Sequence, residues 1–474
     1  MKTTAWIKIL SIAFSVIIVL LVIIAICSLG RFNKQFQAES IRIPLDQVAR
    51  FQLPQENNNL EIETRLENGP GIPSKMITES WSQFRGDKRD GIVQTTSPIQ
   101  FESPKIVWEV SVGEGYAGAA IQNGCAYFID YDVPDKRDAL RCLSMDDGKE
   151  IWRFSYAVNL VSDHGYSRTI PAVSKRFCVG ISPKCHAFCV DALTGEKKWI
   201  YDLTKKYQTK VPQWYAGQCV LIEPQQNDQE WAIIAPGGND SLIVALDCET
   251  GQEMWRTPNP YQWNMTHSSI SRMILDDKLT YVYCGSGGVL GIDAENGKIL
   301  WGTTAWKIVQ ATCPSPLILP DQKIFFCGGY SSGSLLLQVF KNEQGKYQTR
   351  VLKKLKESEF GSTQQTPIFY KEHIWGVGRA ARKFCCLDSD ANVLWRSRSR
   401  TDFGDGPYLI LNDQIVALND DGLLIVAETN PEKWSPLHEI QIIEGEECWA
   451  PLAFSQGNLI LRSLDKMICV DLNQ

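Results

Sequence analysis

The residues that could do chemistry in this chain are few and clustered. Two of the five histidines, His164 and His267, fall in the polar-aromatic stretches DHGYSRTIP and WNMTHSS. Six more stretches have the same texture: GEGYAGA, VPQWYAG, ATCPSP, STQQTP, FGDGPY and EECWAP. Together they hold Tyr116, His164, Tyr166, Arg168, Trp214, Tyr215, His267, Gln364, Gln365, Asp405, Tyr408 and Trp449. Brought to one place, these side chains would form a funnel of ring faces and hydrogen-bonding groups, suited to binding a ligand or peptide. They could equally bond one another and ordered water in a narrow channel. His186, His373 and His438 lie outside these stretches.

Other chemistries lack their residues. There is no HExxH and no P-loop. Fifteen cysteines are present, but no Cys-x-x-Cys, so neither a zinc ribbon nor a thioredoxin-type site is indicated. Most sit in apolar runs, where a thiol behaves as a small hydrophobe. The glycine-rich pieces at 235–240, 284–288 and 327–333 read as turns. Net charge is −6 with both signs scattered, which gives no nucleic-acid surface.

The eight stretches are spaced by a repeat. ALDCETGQEMW ends at Trp255, CVDALTGEKKW at Trp199, CLSMDDGKEIW at Trp152, GIDAENGKILW at Trp301, and the shorter CLDSDANVLW at Trp395. Trp152 to Trp199 is 47 residues, Trp255 to Trp301 is 46, and Trp301 to Trp395 is 94, twice 47, across a degenerate copy at 334–352. A period of this size with four short strands per copy predicts an all-β, eight-bladed propeller. Blade one is expected at Ala117–Ile121, Ala126–Asp130, Leu140–Leu143 and Glu150–Phe154. The other inner strands are expected from near Thr169, Trp214, Ser268, Thr312, Gln365, Pro407 and Ala450. The last copy stops at Gln474 after three strands, and residues 104–112, carrying Trp108, can supply the fourth and close the ring. Each outer-strand tryptophan (Trp108, Trp152, Trp199, Trp255, Trp301, Trp395) is expected to dock between blades, with its indole N–H finding a carbonyl. Each connection from a fourth strand to the next first strand then reaches one mouth of the central channel.

The N-terminal part is different. Residues 9–30 carry no charge, and at about 1.5 Å per helical residue they cross a bilayer core of about 30 Å. They read as an uncleaved anchor, with residues 1–8 cytoplasmic, 31–78 a polar stalk and 79–474 the propeller, outside the cytoplasm in the periplasm or cell envelope.

The hairpins resemble the tryptophan-docking repeats of the PQQ-repeat, quinoprotein-like propellers. That consensus is Ala-x-Asp-x-x-Thr-Gly-x-x-x-Trp, and residues 245–255 match it at every fixed position. Residues 189–199 match with Cys189 for Ala. Residues 142–152 depart, with Cys142 for Ala and Ser144 for Asp. The resemblance covers about residues 78–474. Within the family the chain looks most like membrane-anchored or secreted PQQ-like propellers of the planctomycete kind. Those carry a W-x-x-FRG-x-x-R-x-G segment, here Trp81 to Gly91, and stretches like TTAWK, STQQTP and NDDGLL.

The resemblance implies two kinds of function. One is a BamB-like protein-binding or scaffold module that holds no quinone; the other is an oxidoreductase using pyrroloquinoline quinone with calcium. The enzyme needs a calcium shell of oxygens, a carboxylate base and flat surfaces over both ring faces. Trp214 or Trp449 could form a floor, but Asp405 is the only acid well inside a mouth loop, with Glu114, Asp163, Glu446 and Glu447 near in sequence. Quinone alcohol dehydrogenases also carry adjacent disulfide-linked cysteines. Here Cys385 and Cys386 lie in a strand that would send them to opposite faces. The expectation is therefore a non-catalytic module with protein partners, no metal and no cofactor. A sugar- or peptide-binding module is the further alternative. Arg85, Asp87, Arg89 and Asp90 are expected to bond across the ring as a structural clamp.

Overall fold

The computed structural model describes residues 62–74, 79–162, 164–308, 310–398 and 402–473. The anchor expected at 9–30 and most of the expected stalk lie outside these residues. Among the described residues no helix is long and apolar enough to cross a membrane.

Eight sheets follow one another along the chain. Blade one is Ala120–Gln122, Cys125–Asp132, Arg137–Ser144 and Glu150–Ala157. The inner strands of blades two to eight begin at Ala172, Leu221, Ser271, Leu317, Ile368, Tyr408 and Ala453. These starts fall later than the sequence reading placed them, because the connections run further into the channel before pairing begins. Closure is as expected: Lys105–Ser111 pairs antiparallel with Lys466–Asp471, setting Trp108 opposite Cys469.

The blades stack face to face, so a middle strand is apolar on both sides. Ser241–Asp247 of blade three is buried throughout. Its Val244 and Leu246 pack with blade two, and its Ile243 and Ala245 with blade four. Cys385 and Cys386 divide in the same way between two cores. All fourteen described cysteines are free thiols, and only Cys313 is partly exposed. An outer strand such as Tyr347–Leu355 alternates buried and exposed residues because solvent covers one face.

The repeated hairpin locks each blade to its neighbour. Within ALDCETGQEMW the Asp247 carboxylate accepts from the Thr250 amide at 2.8 Å, and Gly251 takes φ +71°. Trp199 of blade two lies over this turn; a Cβ on Gly251 would stand 2.8 Å from its Cγ. The Trp199 indole donates to the Cys248 carbonyl at 3.0 Å. Trp108 over Gly148, Trp152 over Gly195 and Trp255 over Gly297 repeat the contact. Trp108 and Trp395 also find carbonyls, on Met145 and Asn430. The indole N–H groups of Trp152, Trp255 and Trp301 have no partner among the described residues. The degenerate fifth blade breaks the series. Its hairpin Gly345 has nothing within 4 Å of where a Cβ would be, and Trp301 rests on Gly291 of its own blade.

Thr64–Asn68, inside the expected stalk, forms a fifth, outermost strand on blade one against Glu150–Ala157. Its side chains stay mostly exposed. A polar composition argues against side-chain burial, but the backbone can still pair with an open sheet edge.

The segment after Glu79 threads the channel. Trp81 bridges to Ile121 of blade one, and Ser82 accepts from the Val173 amide of blade two. Arg89 donates to the Val220 carbonyl before blade three at 3.1 Å, and Arg85 to the Pro367 carbonyl before blade six at 3.0 Å. Ile92 pairs with Ile410 of blade seven, and Ser455 of blade eight donates to Glu79. The arginines therefore form the expected clamp, while Asp87 and Asp90 bond only within the segment. No hydrogen bond joins the segment to blades four and five among the described residues.

Candidate functional site

The connections converge as the repeat requires. They enclose a cavity of about 140 Å³ at the channel mouth, floored by Phe84 of the threading segment. Of the sequence-selected residues, Tyr116, His164, Arg168, Trp214, His267, Gln364, Gln365 and Trp449 line it. Tyr166, Tyr215, Asp405 and Tyr408 do not. Tyr166 packs on Tyr131 with ring centroids 4.5 Å apart. Tyr215 bonds the Val161 backbone with its hydroxyl. Tyr408 begins the inner strand of blade seven rather than ending a loop, and its ring packs edge-on against Phe384. Asp405 stands behind the wall, paired with Arg379 at 3.0 Å.

Rings make up most of the wall. Tyr116 stacks on Trp449 at 5.0 Å, and His164 lies 5.4 Å from Tyr116 and 5.5 Å from Trp449. Trp214 lies nearly parallel to Tyr330, 6.3 Å between centroids. Trp214 has φ +61° and Tyr330 φ +55°, a left-handed backbone that bulky residues rarely take. Tyr330 was not among the residues chosen from sequence. It comes from the 327–333 turn, which antiparallel order puts on the mouth face along with the fourth-to-first connections. Cys313, Ser269 and Phe84 also line the cavity unanticipated.

The polar groups differ in how firmly they are held. Arg168 donates to the His164 carbonyl and its guanidinium lies over the Tyr116 ring at 5.5 Å. Gln365 donates to the carbonyls of Trp449 and Asp405. The Trp449 indole donates to Asp420 at 2.7 Å. His267 is nearly buried, and its ring is held by the backbone carbonyls of Gln213 and Tyr215. Burial, with Arg168 nearby, pushes its pKa down to about 4. The ring is therefore neutral at physiological pH. Its Nε2 is buried and has no hydrogen-bond partner among the described residues.

Residues 136–388 match the family model described as outer membrane protein assembly factor BamB. The chain belongs to this PQQ-like, BamB-type propeller family. No curated protein matches it. Among solved structures, BamB from Moraxella catarrhalis is similar with a TM-score of 0.53 and 14% identity, over 78% of this chain and 100% of that one. A europium-containing methanol dehydrogenase is similar with a TM-score of 0.57 and 11% identity, over 82% and 90%. At such identities the likeness is one of fold.

Because the sequence resemblance also implies quinone enzymes, the fit of the mouth to a quinone with calcium matters. The nearby carboxylates are committed. Asp405 pairs with Arg379, Asp420 with Arg382 at 2.9 Å and with Trp449, and Glu447 accepts from the Tyr116 hydroxyl. Burial raises the Asp405 pKa, which disfavours the anion that a metal would want. No group of three or more His, Cys, Asp or Glu among the described residues could hold a metal. The cavity of about 140 Å³ is also below the roughly 300–1,000 Å³ usual for small-molecule sites. These residues do not fit a calcium-bound tricyclic quinone.

Proposed function

We propose that this BamB-type propeller is a non-catalytic binding module that seats a side chain or short segment of a protein partner in its mouth. The observation that carries the reading is the cavity itself. It is ringed by aromatic faces and sized for one side chain, with His267 in its wall. A partner side chain with an apolar or flat body fits these walls. Arg168 on the wall disfavours a cationic tip. The rigid ring supports the reading, because loops from several blades reach one point without needing to order on binding. The family's description as an assembly factor accords with it. The charge-free segment 9–30 would anchor the module to a membrane with the propeller on the non-cytoplasmic side, as in the anchored kind of PQQ-like propeller.

The competing reading is a quinone enzyme. Titration of the purified protein with pyrroloquinoline quinone and calcium, followed by calorimetry, separates the two. No saturable binding is expected. Saturable, calcium-dependent binding that Trp214→Ala abolishes would overturn the proposal.

A further inference from the structure

We propose that the channel below Phe84 is a second site, for a small oxyanion (a phosphoryl or carboxylate group), open to the face opposite the mouth. A pocket of about 110 Å³ lies there between the threading segment and the inner strands of blades four and five. This is the sector in which the clamp makes no hydrogen bond. Arg85, Lys88, Arg89 and Arg272 line it, with Asp90 as the one acid.

The charges are not balanced. Arg85 donates to the carbonyls of Arg89, Asp90, Thr366 and Pro367, all neutral oxygens. Arg89 donates to the Gln83 side-chain oxygen and the Val220 carbonyl, and its Nη2 has no partner. Arg272 is matched by Glu223 at 2.9 Å. The Asp90 carboxylate accepts from the Ile92 amide and bonds neither arginine side chain among the described residues. Four cations thus face two carboxylates. Burial, with Arg272 and Arg85 nearby, pushes the Arg89 pKa down to about 10. A guanidinium buried without an anion is costly, and planar donors of this kind recognise oxyanions. The volume admits one such group, and exposed Lys88 sits at the rim to meet it.

The test is calorimetric titration of the full-length, detergent-solubilised protein with inorganic phosphate and, separately, with acetate, at constant ionic strength. Saturable binding of at least one anion is expected, weakened at least tenfold by Lys88→Glu and unchanged by Trp214→Ala at the mouth. The Lys88 side chain is exposed and makes no bond among the described residues, so circular dichroism should show the variant folded. Tighter phosphate binding assigns the site to phosphoryl groups, and tighter acetate binding to carboxylates. Binding of neither anion, or binding that Lys88→Glu leaves unchanged, overturns the proposal. The mouth proposal stands or falls separately, because its readout depends on Trp214.

Discussion

Trp199 and Trp301 occupy equivalent places in the repeat but should differ in what their indole N–H contributes. Both are buried. Trp199 donates to the carbonyls of Asp247 at 3.2 Å and Cys248 at 3.0 Å in the next blade. Trp301 faces the degenerate fifth blade and its N–H has no partner. Replacing each by Phe removes the same atoms, so the loss of packing is similar to first order. Trp199→Phe also forfeits a hydrogen bond of about 1 kcal/mol net. Trp301→Phe instead removes a buried unpaired donor, whose desolvation costs about 1–3 kcal/mol. Trp199→Phe should therefore cost at least about 2 kcal/mol more than Trp301→Phe. Equilibrium urea unfolding followed by far-UV circular dichroism measures this as a difference in midpoints at unchanged slope. Equal losses, or a larger loss at Trp301, would refute the account of how the blades are locked.

The same logic applies to the glycines beneath. Gly251→Ala should cost about 2–4 kcal/mol, from a left-handed backbone plus overlap with Trp199 and Tyr201. Gly345→Ala, with equal φ but open space around it, should cost only about 1–2 kcal/mol in the same unfolding assay. Asp138 is buried with Oδ1 unpaired, and burial raises its pKa to about 7. The unfolded carboxyl ionises first, so wild-type stability falls as pH rises from about 4 to 7, and Asp138→Asn should stabilise at pH 8 but not at pH 4. His267 behaves in the opposite sense. With its folded pKa of about 4 below the ordinary 6.5, the unfolded state binds the extra proton. Its contribution is complete above pH 6.5 and is lost as pH falls towards 4, by up to about 3 kcal/mol. His267→Gln should flatten that limb of the stability profile.

Much of the fold was legible because its signals are local. The Asp-x-x-Thr-Gly turn and the tryptophan beyond it show in eleven consecutive residues. Trp108 without a hairpin before it pointed to ring closure, and strand alternation separated Cys385 from Cys386. The mouth was legible only in outline. Tyr408 sits next to a loop but belongs to a strand, and a one-residue difference in where pairing starts sends its ring between blades six and seven. Tyr330 was hidden in a glycine-rich turn. Its direction depends on positive φ at Tyr330 and Ser331, which the sequence does not display. Parity could have found it, since every second-to-third turn lies on the mouth face. The strand at Thr64–Asn68 was missed because backbone pairing leaves little trace in the composition.

The most direct test of the proposed function places a photo-crosslinking residue, p-benzoylphenylalanine, at Gln364 in the cavity wall, and in a control at exposed Lys346 on the fifth-blade hairpin. Illumination in the native membrane should give a discrete protein adduct from Gln364, absent from Lys346 and lost when Trp214→Ala is added. No adduct from the cavity, or the same adducts from both positions whatever stands at Trp214, would contradict a mouth that holds a protein partner.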